Sequence, residues 1–329
     1  MKPYAVVDLH CDTLTDMARS GAPDTMDDGA KALSLSALPP DVRWAQCFAI
    51  FLPDKLRGRD AAAYYERWRD DFRRQCARFS DRVLPCRDAA DIERAWAAGK
   101  TAALLTVENG SVLAGDLRRV AMLAADGVRA VTLTWNGANE LGSGHDTDGG
   151  LTAFGVRAVR ELERCGILVD ASHLNDSGFA ALLDAAEKPF LVTHSNARAV
   201  CPHKRNLTDG MIRALVGRGC LVGLNYYTRF LRADGAPCSL DDLYRHIAHF
   251  FDLGAQNCLA LGSDFDGAEA PDCLSSPARV IEAYDFLLAR GLSQEALDGI
   301  FYRNALDFLR RNLPRESCSP EPTLGRRAP

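Results

Sequence analysis

Eight apolar runs of strand length recur along the chain, at residues 4–10, 44–52, 102–107, 130–135, 166–171, 189–194, 220–226 and 258–263. Segments with helical periodicity lie between them, at 61–79, 88–98, 116–125, 154–164, 178–186, 208–216 and 240–252. A strand that is apolar on both faces must be covered on both, and alternating amphipathic helices supply that cover when the strands run parallel. Eight such units predict an α/β chain folded as a single-domain (β/α)8 TIM-like barrel over residues 1–313. A doubly wound open sheet is the alternative reading of the same alternation. The connection from Pro53 to Lys100 holds two helices and is the one large addition to a minimal barrel. Thr208 and Ser239 are placed to cap the helices that follow them. Residues 314–329, rich in Pro, Arg, Ser and Glu, have too little apolar surface to pack and are expected to form a disordered tail.

Composition narrows the function. A net charge of -5 with both signs interspersed provides neither the basic stripe that nucleic acid requires nor a polybasic membrane patch, so the expected partner is a small molecule. A homodimer stays open as an assembly. No apolar run approaches a membrane span and the first strand starts almost at Met1, which reads as a cytoplasmic protein. The eleven cysteines are scattered without CxxC pairs and many sit in apolar runs, such as Cys47, Cys165, Cys220 and Cys258, as buried reduced thiols would.

The first run ends as Val6-Val7-Asp8-Leu9-His10-Cys11-Asp12. Successive side chains of a strand point to opposite faces, so Asp8, His10 and Asp12 are expected on one face and Leu9 and Cys11 on the other. Burying an imidazole beside two carboxylates costs several kcal/mol unless something pairs with them, and a divalent cation does so. Barrel enzymes build their sites at the C-terminal ends of the strands. Polar groups recur there: His10 and Asp12, Glu108-Asn109-Gly110, Ser172-His173, His194-Ser195-Asn196, and Asp264-Phe265-Asp266-Gly267. Three histidines at three strand ends, with Asp and Glu beside them, form a donor set suited to zinc.

These stretches also resemble the membrane (renal) dipeptidase family, zinc dipeptidases of the amidohydrolase-like barrels. The matching motifs are Asp8-Leu9-His10-Cys11-Asp12-Thr13, Val107-Glu108-Asn109-Gly110, Val169-Asp170-Ala171-Ser172-His173, Thr193-His194-Ser195-Asn196-Ala197, Arg205-Asn206-Leu207-Thr208-Asp209 and Gly262-Ser263-Asp264-Phe265-Asp266-Gly267, in that order. The resemblance implies a metalloprotease with two Zn2+ ions per chain. It makes His10 and Asp12 ligands of one ion and His173 and His194 ligands of the other, with Glu108 bridging. It also implies Arg205 and Tyr227 as substrate contacts and Asp264 as the catalytic carboxylate.

Chemistry supports those roles. Water shared by two zinc ions has its pKa lowered to about 7, and a carboxylate can reach both ions where an imidazole cannot comfortably do so. Asp264 can take the proton and return it to the leaving amine. A planar guanidinium at Arg205 would bind a dipeptide's free C-terminal carboxylate. Many relatives carry a His where this chain has Trp135, and an indole cannot accept a proton. His145, in the loop Gly142-Ser143-Gly144-His145-Asp146, is the nearby imidazole that could take its place at the developing oxyanion if the loop folds over the mouth. Asp266 reads as orienting a ligand histidine, His203 and Lys204 as plain loop residues, and His246 and His249 as outer helix residues. The rival functions are another dinuclear amidohydrolase, such as a cyclic amidase or deaminase, and a silent metal-binding protein.

Overall fold

The computed structural model describes residues 5–15 and 26–313, so the expected tail at 314–329 lies outside the described residues. Among the described residues there are nine parallel strands: β1 (Ala5–Cys11), β2 (Arg43–Phe51), β3 (Val83–Cys86), β4 (Thr101–Glu108), β5 (Val128–Thr132), β6 (Leu168–Asp170), β7 (Leu191–Val192), β8 (Leu221–Leu224) and β9 (Leu259–Leu261). The hydrogen-bonded order is β2-β1-β9-β8-β7-β6-β5-β4-β3, and an added β2–β4 pairing closes eight of them into a ring. The barrel is therefore the one expected, built from the eight apolar runs.

β3 was not visible as an apolar run. Its four residues include Pro85, which lacks a ladder donor and lowers any strand reading. It pairs with the first half of β4, Val83 opposite Thr101 through Cys86 opposite Leu104, and β5 takes over from Leu105. The two helices expected in the same connection are Gly58–Arg78 and Ala89–Ala97. Thr208 caps the following helix through the Met211 N–H, and Ser239 forms a reciprocal capping box with Asp242.

The alternation expected in β1 is broken. Asp8 stands opposite Gln46 while Cys11 stands opposite Phe48, so three steps along β1 match two along β2. This bulge changes the parity of the strand. Asp8 accepts the Ser263 N–H at 2.9 Å and the His10 N–H at 3.3 Å and takes no part in the polar cluster at the mouth.

The main apolar core lies between strands and helices, where Val6, Val131 and Val222 pack with residues such as Phe179, Leu215 and Phe250. A second cluster joins Val7, Ala45, Leu104, Ala130, Leu168 and Leu221 to Phe308 and Leu309 of the Asn304–Asn312 helix. Leu104 and Glu108 share one face of β4 by alternation, so this cluster is the apolar floor beneath Glu108. The helices after β9, Pro277–Ala289 and Asn304–Asn312, complete the fold. Among the described residues no helix is long and apolar enough to cross a membrane, and every cysteine is a free thiol.

Candidate active site

The strand ends converge on Glu108, which is buried at the end of β4. Its Oε2 lies 3.6 Å from His10 Nε2, and its Oε1 lies 2.9 Å from His173 Nε2 and 3.6 Å from His194 Nε2. His10 Nε2 is 3.4 Å from Asp12 Oδ2 and 3.9 Å from Asp264 Oδ1. His173 Nε2 and His194 Nε2 are 2.9 Å apart. One carboxylate thus faces two donor groups, His10 with Asp12 and Asp264 on one side, His173 with His194 on the other.

The backbone is bent to make this arrangement. His173 and Asp264 have φ of 70° and 62°, in the left-handed region that non-glycine residues rarely occupy. Such strain persists where surrounding contacts hold it, and it clusters at functional sites. A Cβ at Gly267 would fall 1.9 Å from Asp12 Oδ2 and 2.6 Å from Asp264 Oδ1, so only glycine lets this turn close on the cluster.

Burial sets the charge states. His173 and His194 are driven well below the ordinary histidine range by burial. Burial also acts to lower His10, but Glu108 and Asp12 overcome it and raise its pKa. Glu108 is pushed up by burial and by the neighbouring Asp12 charge, and burial raises Asp264 as well. Two neutral imidazoles cannot present lone pairs to each other at 2.9 Å without a proton or a cation between them. His10 Nε2 and Asp12 Oδ1 are also buried with no hydrogen-bond partner. The groups His10, Glu108, His194 and His10, Asp12, Asp264 each bring their donor atoms within 4.8 Å of one another. Imidazole and carboxylate donors left unpaired in this way fit divalent cations.

A cavity of about 670 Å³ opens above the cluster. Trp135, His145, Arg205, Tyr227 and Asp264 all line it, as do two residues that sequence reasoning set aside or missed, His203 and Phe230. Arg205 is buried, donates to Ser195 Oγ at 3.1 Å and His194 O at 3.3 Å, and lies 5.3 Å from the centre of the Phe230 ring. Its pKa is lowered to about 10 by burial. His203 accepts the Arg205 N–H at 3.1 Å and packs on Phe230 with ring centres 4.6 Å apart, so it is a wall of the cavity rather than plain loop. Nothing in its local sequence marks this, because the contact is made by a residue 27 positions away.

The Gly-rich loop does fold over the mouth. His145 donates its backbone N–H to His173 O at 2.9 Å, and its ring centre lies 5.9 Å from that of His173. Its pKa is lowered to about 4, by burial first and Arg205 second. A Cβ at Gly144 would sit 2.0 Å from Trp135 O, so the tight approach of loop to strand end depends on glycine there. Trp135 packs edge-on against Phe51 at 4.8 Å. Asp266 binds the Thr13 hydroxyl at 2.7 Å and the Ala32 and Leu33 N–H groups, anchoring the segment beside Asp12 rather than a histidine ring. His246 is not an outer residue: it is fully buried between Ala197 and Leu231.

The family model for membrane dipeptidase, peptidase family M19, matches residues 1–316. The chain belongs to the membrane dipeptidase family. Proteins similar to it include an uncharacterized protein in the pqqA 5' region of Klebsiella pneumoniae, 37% identical over 71% of this chain and 90% of that one. Dipeptidase aclJ of Aspergillus oryzae is 28% identical over 80% of this chain and 66% of its own length. Among solved structures, a metallo peptidase from Rhodobacter sphaeroides, liganded with a phosphinate mimic of L-Ala-D-Ala, superposes with a TM-score of 0.88 at 26% identity, covering 94% of this chain and 99% of that one. Dipeptidase AC, also an M19 metallo peptidase, gives 0.88 at 27% identity over the same shares. This membrane dipeptidase family member is thus a metallo-dipeptidase, a hydrolase acting on peptide bonds.

Proposed function

We propose that the enzyme hydrolyses dipeptides bearing a free C-terminal carboxylate, with two zinc ions held by His10 and Asp12 on one side, His173 and His194 on the other, and Glu108 between them. The observation that carries this reading is Arg205. It is a buried cation in the wall of the cavity, its guanidinium bonds the neutral Ser195 Oγ and His194 O, and its Nε has no hydrogen-bond partner among the described residues. A buried charge without a partner is strongly unfavourable, and a substrate carboxylate would supply that partner. Bound in this donor set, zinc would supply hydroxide near neutral pH and polarise the scissile carbonyl.

The chain's own groups do the rest. Arg205 fixes the substrate's C-terminus, and the Phe230 and Tyr227 rings, 4.8 Å apart, frame it. Asp264 is held through Oδ2 by Asn225 Nδ2 at 2.9 Å, leaving Oδ1 to take the proton of the attacking water and pass it to the leaving amine. His145, neutral, donates an N–H to the developing oxyanion, and Trp135 shapes the wall beside it. The ligand of the Rhodobacter protein argues for including L,D pairs among the substrates tested.

A dipeptide library with L,D members, C-terminal amides and tripeptides tests the anchor. Amidation is expected to lower kcat/KM on the order of 10³-fold, and Arg205→Met to abolish that preference. Equal turnover of amides or tripeptides would remove Arg205 from this role. Elemental analysis tests the metals: one zinc or fewer in metal-replete, active enzyme contradicts the two-ion site.

A further inference from the structure

We infer that Thr193 is a positioning residue for His194, relaying the hydrogen-bonding demand of buried Asp170 so that the imidazole is locked with its Nε2 lone pair facing Glu108 and His173. Its consequence for metal binding rests on the two-ion reading above.

Asp170, at the end of β6, is almost wholly buried. Its Oδ1 accepts the Ser172 N–H at 3.0 Å and the Thr193 N–H at 2.9 Å. Its Oδ2 lies 2.6 Å from Thr132 Oγ1 and 2.7 Å from Thr193 Oγ1. A carboxylate accepts at about four positions, and all four are occupied by donors. Thr193 Oγ1 also stands 2.8 Å from His194 Nδ1. The hydroxyl has one proton, which Asp170 and the imidazole both could take. Hydrogen bonds to a carboxylate are about twice as strong as those between neutral groups, so the proton goes to Asp170.

Nδ1 must then bring its own proton, because two lone pairs would otherwise face each other at 2.8 Å. A neutral imidazole with hydrogen on Nδ1 carries its lone pair on Nε2. That is the atom 2.9 Å from His173 Nε2 and 3.6 Å from Glu108 Oε1. The Ser172 hydroxyl, 3.2 Å from Thr193 Oγ1, accepts the His194 backbone N–H at 3.2 Å and fixes the residue from its other side. His173 reaches the same state more simply, with Nδ1 2.8 Å from Asn136 Oδ1. The interposed hydroxyl lets a carboxylate too deep in the barrel to reach the ring act on it all the same.

The test reads the tautomer and the metal separately. Nitrogen NMR of metal-free, 15N-histidine-labelled full-length protein should show His194 protonated on Nδ1 in the wild type and shifted toward Nε2–H in Thr193→Val. In chelator-competition titrations with zinc alone, Thr193→Val should weaken one of two binding steps by about 10–100-fold and leave the other unchanged. Thr193→Ser should restore both readouts. Thr132→Val removes another donor to Asp170 without touching His194, and it should preserve the tautomer and both steps. Wild-type His194 without a proton on Nδ1, an unchanged Nδ1 protonation in Thr193→Val, or equal effects of Thr132→Val and Thr193→Val would each overturn the relay. A wild type that binds a single zinc would overturn the two-ion reading alone, since the NMR of metal-free protein still decides the relay.

Discussion

His246, in the Leu240–Asp252 helix outside the barrel, and His194, beyond the end of β7, are both fully buried and both pushed toward the neutral form by burial. Their surroundings use that neutrality in opposite ways. At His246 Nδ1 accepts the Ala197 N–H at 3.1 Å and Nε2 donates to Leu231 O at 3.1 Å, so backbone groups satisfy the whole ring. At His194 only Nδ1 has a partner that satisfies it, the Thr193 hydroxyl, and Nε2 meets another imidazole and a carboxylate. Burial is therefore no mark of a functional histidine. What distinguishes the two is where an unspent lone pair points, and at the barrel mouth several point at one small volume. A satisfied imidazole holds two elements together; an unsatisfied one is costly until a cation arrives.

The largest effect expected from breaking this contrast is at Glu108, whose two oxygens face both donor groups. Glu108→Gln should abolish measurable turnover and lower zinc content, read by steady-state kinetics and elemental analysis; retention of two ions and activity would show that the donor groups are independent. Asp264→Asn comes next. Both ions should stay bound while kcat falls about 10²–10⁴-fold, because a group that moves protons is lost rather than a metal ligand. His145→Ala should lower kcat about 10²–10³-fold with zinc content unchanged. An unaltered kcat would leave Trp135 and the metals to handle the oxyanion.

The smallest effect on activity is expected at His246, and it should appear in stability instead. Its pKa is lowered to about 4 by burial, against about 6.5 in the unfolded chain, so between those values the unfolded state binds more protons. Stability from this group is full above pH 6.5 and is lost as pH falls toward 4, by up to about 3 kcal/mol. Urea unfolding at several pH values should show a shallower slope in His246→Gln, whose amide can keep both backbone partners. An identical slope in the variant would show that His246 is not the group that titrates.

The ladder of eight strands was legible because a doubly covered strand is written locally, as an uninterrupted apolar run between helical periods. Glu108, His10, His173, His194 and Asp264 were legible for a related reason: a polar residue that ends such a run must emerge at the barrel mouth. The flip of Asp8 was not, since the bulge in β1 arises from its pairing with β2 and no residue type announces it. Nor were the parts played by His203 and His246, and His145 was named only on the condition that its loop folds over the mouth. The His145 loop lies where it does because its backbone bonds His173 and because Lys204 pairs with Asp146, and His203 gains its place from Phe230.

Asp266 had the right neighbourhood by sequence but the wrong partners, which come from residues more than 230 positions earlier. Sequence alone therefore determined the elements, their order and the chemistry available at their ends, because these depend on local periodicity and on residue type. Tertiary structure decided which lone pairs meet, which imidazoles are satisfied and which loop residues enter the cavity. Those outcomes depend on distances of a few ångströms between segments that only the closed barrel brings together.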